Sequence, residues 1–151
     1  MIIRPAEAAD IDGMAAVAAA AYRSGFAHIL EAEVLATRDA AYFAQSFAAA
    51  LPAMRVAVQA GRIVAFAKVT VHHLDMLFTA PGAQGTGIGA ALLASVEADG
   101  VITLECFRDN HAARRFYQRH GWQLAREYSR EFLGRTRDFV LLQKKHVTTG
   151  R

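Results

Sequence analysis

Three glycines at alternate positions, Gly85, Gly87 and Gly89, follow a proline-marked turn at Pro81 and open the apolar run Ile88-Gly89-Ala90-Ala91-Leu92-Leu93. Glycine carries no Cβ to obstruct an approaching group and reaches the φ values of a tight turn. Consecutive N–H groups can then converge at the start of a helix, whose dipole favours negative charge. The chemistry this suits is anion binding, with a phosphate group as the natural occupant. Leu74 to Thr79 reads as the strand that delivers the chain to this cradle.

The segment Gln84-Gly85-Thr86-Gly87-Ile88-Gly89 resembles the Q/R-x-x-G-x-G/A signature of the GNAT superfamily of acyl-CoA-dependent N-acyltransferases. A second stretch, Asn110-His111-Ala112-Ala113-Arg114-Arg115-Phe116-Tyr117-Gln118-Arg119-His120-Gly121-Trp122, resembles that family's N-x-x-A-x-x-F-Y-x-x-x-G-[FW] helix. Two motifs in the right order are far more specific than either alone, and with their flanking strands they cover Val69 to Trp122. The resemblance implies a strand that splays from its neighbour and binds the acyl-pantetheine arm through free backbone groups. Carried over by position, the Leu77 N–H faces the acetyl carbonyl, and Phe78 and Thr79 pair with pantetheine. Gln84, Gly85, Thr86, Gly87, Ile88 and Gly89 hold the pyrophosphate. The plainer alternative for Leu77 to Thr79 is an ordinary core strand.

Acyl transfer from a thioester to an amine needs a neutral amine, a donor to the developing oxyanion and a proton for the departing thiolate. By family position Tyr117 is the acid, since a phenol with an ordinary pKa of about 10 is protonated at neutral pH. One helical turn separates it from Ala113, so both can line one groove; Tyr117 can equally pack between helix and sheet. His73 is the first candidate base, at a strand position where several family members carry glutamate, and histidine titrates close to neutrality. His72-His73 also reads as a solvated pair. Asp75 and Glu105 are further candidates, and some relatives use no dedicated base. Asn110 is an N-cap residue, to which the resemblance adds a contact with the pantetheine amide. Tyr22, Phe26 and His28 fall where the family's first helices border the acceptor. Cys106 reads as a small core residue, and His111 and His120 are too far apart on one helix for a metal pair.

The elements that must position these residues follow from pattern. Ile2 to Pro5 predicts a short strand, and an acidic turn from Glu7 leads into an alanine-rich helix from Met14 to Arg23. After a break at Ser24 to His28, a helix is expected from about Glu31 to Leu51, interrupted near Thr37-Arg38-Asp39 and stopped by Pro52. Met54 to Ala60 and Arg62 to Val71 form a hairpin across Gly61. In the next strand, His73 to Thr79, alternation puts Leu74, Met76 and Phe78 on one face and His73, Asp75, Leu77 and Thr79 on the other. A helix from Ile88 to Ala98, a buried strand from Val101 to Phe107 and a helix from Ala112 to His120 follow, the last capped by Gly121. Two strands, near Gln123 to Phe132 and Arg137 to Lys144, turn at Gly134, and residues 146–151 are expected to fray. This order predicts a mixed α/β (α+β) domain around a mostly antiparallel sheet flanked by helices, as the resemblance also implies.

With 151 residues, 54% hydrophobic and 21% charged, the chain fits one globular domain, 1–151. Its longest apolar run, Met14 to Tyr22, is too short to span a bilayer, and the start lacks the features of a signal peptide; a cytoplasmic location is expected. A single cysteine leaves no internal disulfide or CxxC metal site. The net charge of +3 is spread without a zinc-finger spacing or basic amphipathic helix, so no nucleic-acid partner is expected. The resulting expectation is an N-acetyltransferase that uses acetyl-CoA as co-substrate, without a metal, and passes the acetyl group to a small-molecule amine. A protein amine stays open as acceptor, and so does a homodimer. Two rivals remain: a sensor that binds acyl-CoA without turnover, and a dinucleotide-binding protein. Gly85-Thr86-Gly87-Ile88-Gly89-Ala90 also satisfies G-x-G-x-x-A, with Glu105 about twenty residues on. Against the second rival, Ala80 to Gln84 separates strand from glycine, and the unit begins past mid-chain.

Overall fold

The computed structural model describes residues 1–145, so the tail expected to fray lies outside them. The chain forms two compact units, Met1–Val101 and a second beginning at Ile102. Both mix helices with antiparallel strands.

In the first unit β1 (Ile2–Pro5), β2 (Met54–Gln59), β3 (Arg62–Thr70) and β4 (His73–Thr79) pair antiparallel in that order. Helix α1 (Ile11–Gly25) starts three residues before the expected Met14. The acidic turn explains this: residues Ala8–Asp10 already coil as a 3-10 turn, and Asp10 points inward. Its carboxylate accepts from Arg4 Nη1 at 2.7 Å, Arg4 Nη2 at 3.0 Å and the Glu7 N–H at 2.8 Å, tying β1 to α1. Gly13 is placed by close approach, for a Cβ there would lie 2.8 Å from Ile63 Cγ1 on β3. The expected second helix is two, α2 (Ala32–Thr37) and α3 (Ala40–Ala48), broken at Arg38-Asp39. Asp39 starts α3 by accepting the Tyr42 N–H at 2.9 Å. Helix α4 (Ile88–Ala98) has the expected bounds.

Cross-strand partners in an antiparallel ladder share a face. Val56, Phe66 and Phe78 are in register, and Phe47 of α3 lies 5.1 Å from Phe66, so α1 and α3 cover that face. Arg55, Ala67 and Leu77 are in register on the other face. There Arg55 Nη1 donates to Ser95 O at 3.1 Å and Nη2 to Asp99 at 2.6 Å, which marks the α4 side.

Strand β4 departs from simple alternation. Lys68 pairs with Met76, but Val69 pairs with Leu74 and Thr70 with His73, so Asp75 is an extra residue without a partner across the ladder. Its carboxylate accepts the Thr70 hydroxyl proton. One extra residue reverses the phase of everything before it. Leu74 therefore shares the Leu77 face, while His73 and Asp75 share the face of Met76 and Phe78. This corrects the expectation that His73 and Asp75 lie beside Leu77.

In the second unit β5 (Thr103–Phe107), β7 (Arg135–Lys144) and β6 (Trp122–Phe132) pair antiparallel in the order β5-β7-β6. Leu133 (φ +52°) and Gly134 (φ +88°) make the β6–β7 turn. Helix α5 (His111–Arg119) packs on β6 and ends at Gly121, whose φ of +89° suits glycine. Among the described residues no helix is long and apolar enough to cross a membrane.

The Arg4–Asp10 clasp generates a pH prediction. Its hydrogen bonds from Arg4 hold the Asp10 pKa below the ordinary carboxylate value, against the opposing effect of burial. A depressed folded-state pKa contributes stability above the unfolded value of about 4, lost as pH falls through the folded value. Asp10→Asn should therefore lower the thermal midpoint at pH 7 and shrink the loss between pH 5 and pH 2. Thermal melts of both proteins across that range measure it.

Candidate functional site

The glycine loop opens with a 3-10 turn at Pro81–Ala83, after which Gln84 extends the chain. Gly85 and Gly87 take φ of +79° and +85°, and neither has any atom within 4 Å of an added Cβ. Their requirement is thus conformational rather than a lack of room. Thr86 Oγ1 donates to Ala83 O at 2.5 Å and closes the loop on itself. Gly87 is the N-cap of α4, and no side chain caps this helix. The first N–H groups of a helix have no intrahelical partner, so those of Ile88 and Gly89 are presented to the loop. Gln84 to Gly87 are exposed, and Ile88 anchors the turn in the core. The sequence-predicted cradle is brought together as one contiguous feature.

The phase of the β4 backbone decides which groups of the strand can reach a ligand. The Ala80 N–H donates to Val64 O at 2.8 Å. Hydrogen-bonded and non-hydrogen-bonded pairs alternate along an antiparallel ladder, so Phe78, paired with Phe66, spends its N–H and C=O on β3. Leu77 and Thr79 direct theirs away from β3. Two of the three expected backbone contacts are therefore directed off the β3 ladder, and Phe78 is corrected: its backbone is committed to β3. Its side chain meets Tyr22 at 5.8 Å, Phe26 at 6.2 Å and Phe66 at 5.8 Å.

In the second unit Asn110 caps α5, its Oδ1 accepting the Ala113 N–H at 3.2 Å. Tyr117 is the buried residue of α5, edge-on to Phe116 at 5.1 Å and to Trp122 at 6.0 Å. Burial, and to a lesser degree Cys106 nearby, raises its pKa well above that of a free phenol. Its hydroxyl makes no hydrogen bond among the described residues, where no sealed side-chain polar atom lacks a partner. Burial pushes the Cys106 thiol up to about 11, leaving it protonated and unreactive at neutral pH.

Glu105 is bound on several sides. Arg130 donates to it from Nε at 2.9 Å and from Nη2, and Tyr128 donates its hydroxyl proton. Arg130 itself lies over Phe139, 4.3 Å from the ring centre. A carboxylate so engaged is a poor base, and it is not poised for a ribose either. The antiparallel order β1-β2-β3-β4 also departs from the parallel sheet of a dinucleotide fold. His28 is exposed on the turn after α1, His111 is exposed, and His120 Nδ1 bonds Phe116 O at 2.8 Å. Among the described residues no group of three or more His, Cys, Asp or Glu could hold a metal.

Tyr22 and Phe26, singled out from sequence, stand in an aromatic wall with Phe43 and Phe78. Sequence reasoning missed Arg38, whose guanidinium sits 4.2 Å from the centre of the Tyr42 ring. The four-residue spacing of Arg38 and Tyr42 was the available signal, hidden because the α2–α3 break falls between them.

An uncapped helix behind a glycine loop, on a strand that directs alternate N–H groups off its β3 ladder, makes an anion-suited site on an α/β fold. Residues 51–124 match a family model described as Acetyltransferase (GNAT) domain. Over that stretch the chain is similar to the GNAT superfamily, and its fold is the one that the family's solved members share. Similar solved structures include a GCN5-related N-acetyltransferase from Rhodopseudomonas palustris, 24% identical, TM-score 0.75, covering 96% of this chain and 95% of that one. The PaiA N-acetyltransferase of Thermoplasma acidophilum in complex with coenzyme A is 17% identical, with TM-score 0.76 over 95% and 98%. The ribosomal-protein-S18-alanine N-acetyltransferase of Escherichia coli is 23% identical, with TM-score 0.61 over 99% and 96%. No curated protein matches the sequence.

Gly87→Ala must hold an L-residue in the left-handed region, at a cost of about 1–2 kcal/mol. Gly82 has open space and no such φ, so Gly82→Ala serves as the neutral control. Urea denaturation of the two variants should separate them by that amount, with Gly87→Ala the less stable.

Proposed function

We propose that the chain is an acetyl-CoA-dependent N-acetyltransferase, working as one domain, in which a primary amine attacks the thioester directly. The observation that carries this reading is the cradle Gln84 to Gly89 against the uncapped α4 N-terminus, fed by a strand whose Leu77 and Thr79 N–H groups point off the β3 ladder. The cradle takes the pyrophosphate of CoA. Thr79 pairs with the pantetheine arm, and Asn110 adds a polar contact beyond its cap. The coenzyme A complex of the Thermoplasma relative supports the choice of carrier.

The Leu77 N–H then faces the acetyl carbonyl and stabilises the oxyanion as the amine adds. Collapse of the tetrahedral intermediate breaks the C–S bond and Tyr117 gives its proton to the thiolate, while the proton shed by the attacking nitrogen passes to solvent, from which the tyrosinate is reprotonated. Burial suits Tyr117 to that role by keeping its proton in place at neutral pH. None of the three candidate bases is placed for that role on this geometry. His73 lies four residues from Leu77, about 13 Å along a strand, beyond one bridging water. Asp75 is bonded by Thr70, and Glu105 by Arg130 and Tyr128. The acceptor therefore enters as the neutral amine. A cytoplasmic setting, where acetyl-CoA is made and used, accords with this chemistry.

Tyr117→Phe should lower kcat roughly a hundredfold and leave the Kd for acetyl-CoA within a few-fold, measured by thiol release and calorimetry. Unchanged turnover overturns the acid. Acetyl-CoA binding without thiol release from any amine would instead mark a sensor, and binding of NAD in place of acetyl-CoA would overturn the carrier. With no dedicated base, log kcat/KM should rise with unit slope up to the pKa of the acceptor amine. The raised Tyr117 pKa means that no alkaline loss sets in below about pH 10. A bell centred near neutrality would restore a histidine base.

A further inference from the structure

Arg38 ends α2, half-buried, with its guanidinium over the Tyr42 ring at 4.2 Å and one hydrogen bond, Nη1 to Thr37 Oγ1 at 3.2 Å. It has no carboxylate partner among the described residues. The neighbouring acid, Asp39, is committed to capping α3. A half-buried guanidinium braced on a ring, with no carboxylate bonded to it among the described residues, has a bidentate face to offer.

The ring contacts lead from this cation to the acyl end of the carrier strand. Tyr42 touches Phe43 at 5.1 Å, Phe43 touches Tyr22 at 5.1 Å, and Tyr22 touches Phe78 at 5.8 Å. Phe78 directly follows Leu77. Tyr22 is 9% exposed, yet its hydroxyl makes no hydrogen bond among the described residues. Burial raises the Tyr22 pKa, and Arg38 lowers it in part, so the phenol and the guanidinium share one neighbourhood. The result is an apolar aromatic wall of Tyr22, Phe26 and Phe78, with a phenol donor and an arginine fork at its rim.

We infer that this wall and Arg38 select an acceptor amine that carries a carboxylate, as an α-amino acid does. The inference rests on the transfer reading above. The carboxylate takes the guanidinium fork and the Tyr22 hydroxyl, the side chain lies on the aromatic wall, and the amine is turned toward Leu77. Arg38 and Tyr22 are specificity residues in this arrangement, since they bind the acceptor away from the reacting atoms.

The test compares kcat/KM for aromatic and aliphatic α-amino acids with that for their primary amides, by thiol release. The wild type should prefer the acids at least tenfold, and Arg38→Gln should collapse that preference about tenfold or more, mainly through KM. Tyr22→Phe should reduce it by a smaller factor, and melting curves of both variants check folding. Equal use of acids and amides, or a preference untouched by Arg38→Gln, overturns the inference and leaves acyl transfer standing. No thiol release from either series also overturns the inference, while the transfer reading falls only if amines of every other class fail to release thiol as well.

Discussion

An antiparallel strand can spend only every second pair of its backbone groups on one neighbour, and β4 depends on that arithmetic. The Ala80–Val64 hydrogen bond fixes the phase, and from it the direction of every N–H on the strand follows. Leu77 and Thr79 are left with donors aimed off the β3 ladder, just ahead of the loop that ends at Gly87. A shift of one residue would aim Phe78 outward and bury the Leu77 N–H in the sheet. The bulge at Asp75 lies upstream of this point, so it reorients His73 and Leu74 without disturbing Leu77 to Thr79. The strand thus combines a variable entry with a fixed exit.

Side-chain packing locks that phase. Phe78 fits among Tyr22, Phe26 and Phe66 on the α1–α3 face, while Arg55 ties the Leu77 face to α4 through Ser95 and Asp99. A slip by one residue would drive Phe78 toward α4 and strand its aromatic partners. The same aromatic cluster therefore does two jobs. It holds the register that aims the Leu77 N–H, and it forms the wall against which an acceptor would lie.

The glycine loop and α4 were legible because their signals are local. Positive φ at Gly85 and Gly87 can be met cheaply only by glycine, and the helix they open has the expected bounds, Ile88–Ala98. The break at Arg38-Asp39 was legible for the same reason, since an aspartate that caps α3 also interrupts what precedes it. The bulge was not legible. Leu74 and Met76 are both apolar and two apart, so the alternation reads smoothly through Asp75, and only pairing with β3 shows the extra residue. The face expected for His73 changed with it, and its candidacy as a base rested on that face. Glu105 was misjudged for a related reason. Arg130 and Tyr128 lie more than twenty residues away on β6, and nothing local announces that they converge on it.

Two tyrosines show how burial alone can prepare opposite tasks. Tyr117 and Tyr22 are both deeply buried, both have raised pKa values, and both keep a hydroxyl that bonds no described residue. A phenol in that state holds its proton firmly and has a donor to offer. Beside a departing thiolate, as proposed for Tyr117, that donor is consumed in each turnover and its strength sets the rate. Beside a carboxylate, as inferred for Tyr22, the proton is shared and never leaves, so its strength sets affinity. What separates the two is the neighbouring charge. On the inference drawn above, Arg38 would draw an anion to Tyr22 before reaction, whereas at Tyr117 the anion would exist only once the C–S bond breaks.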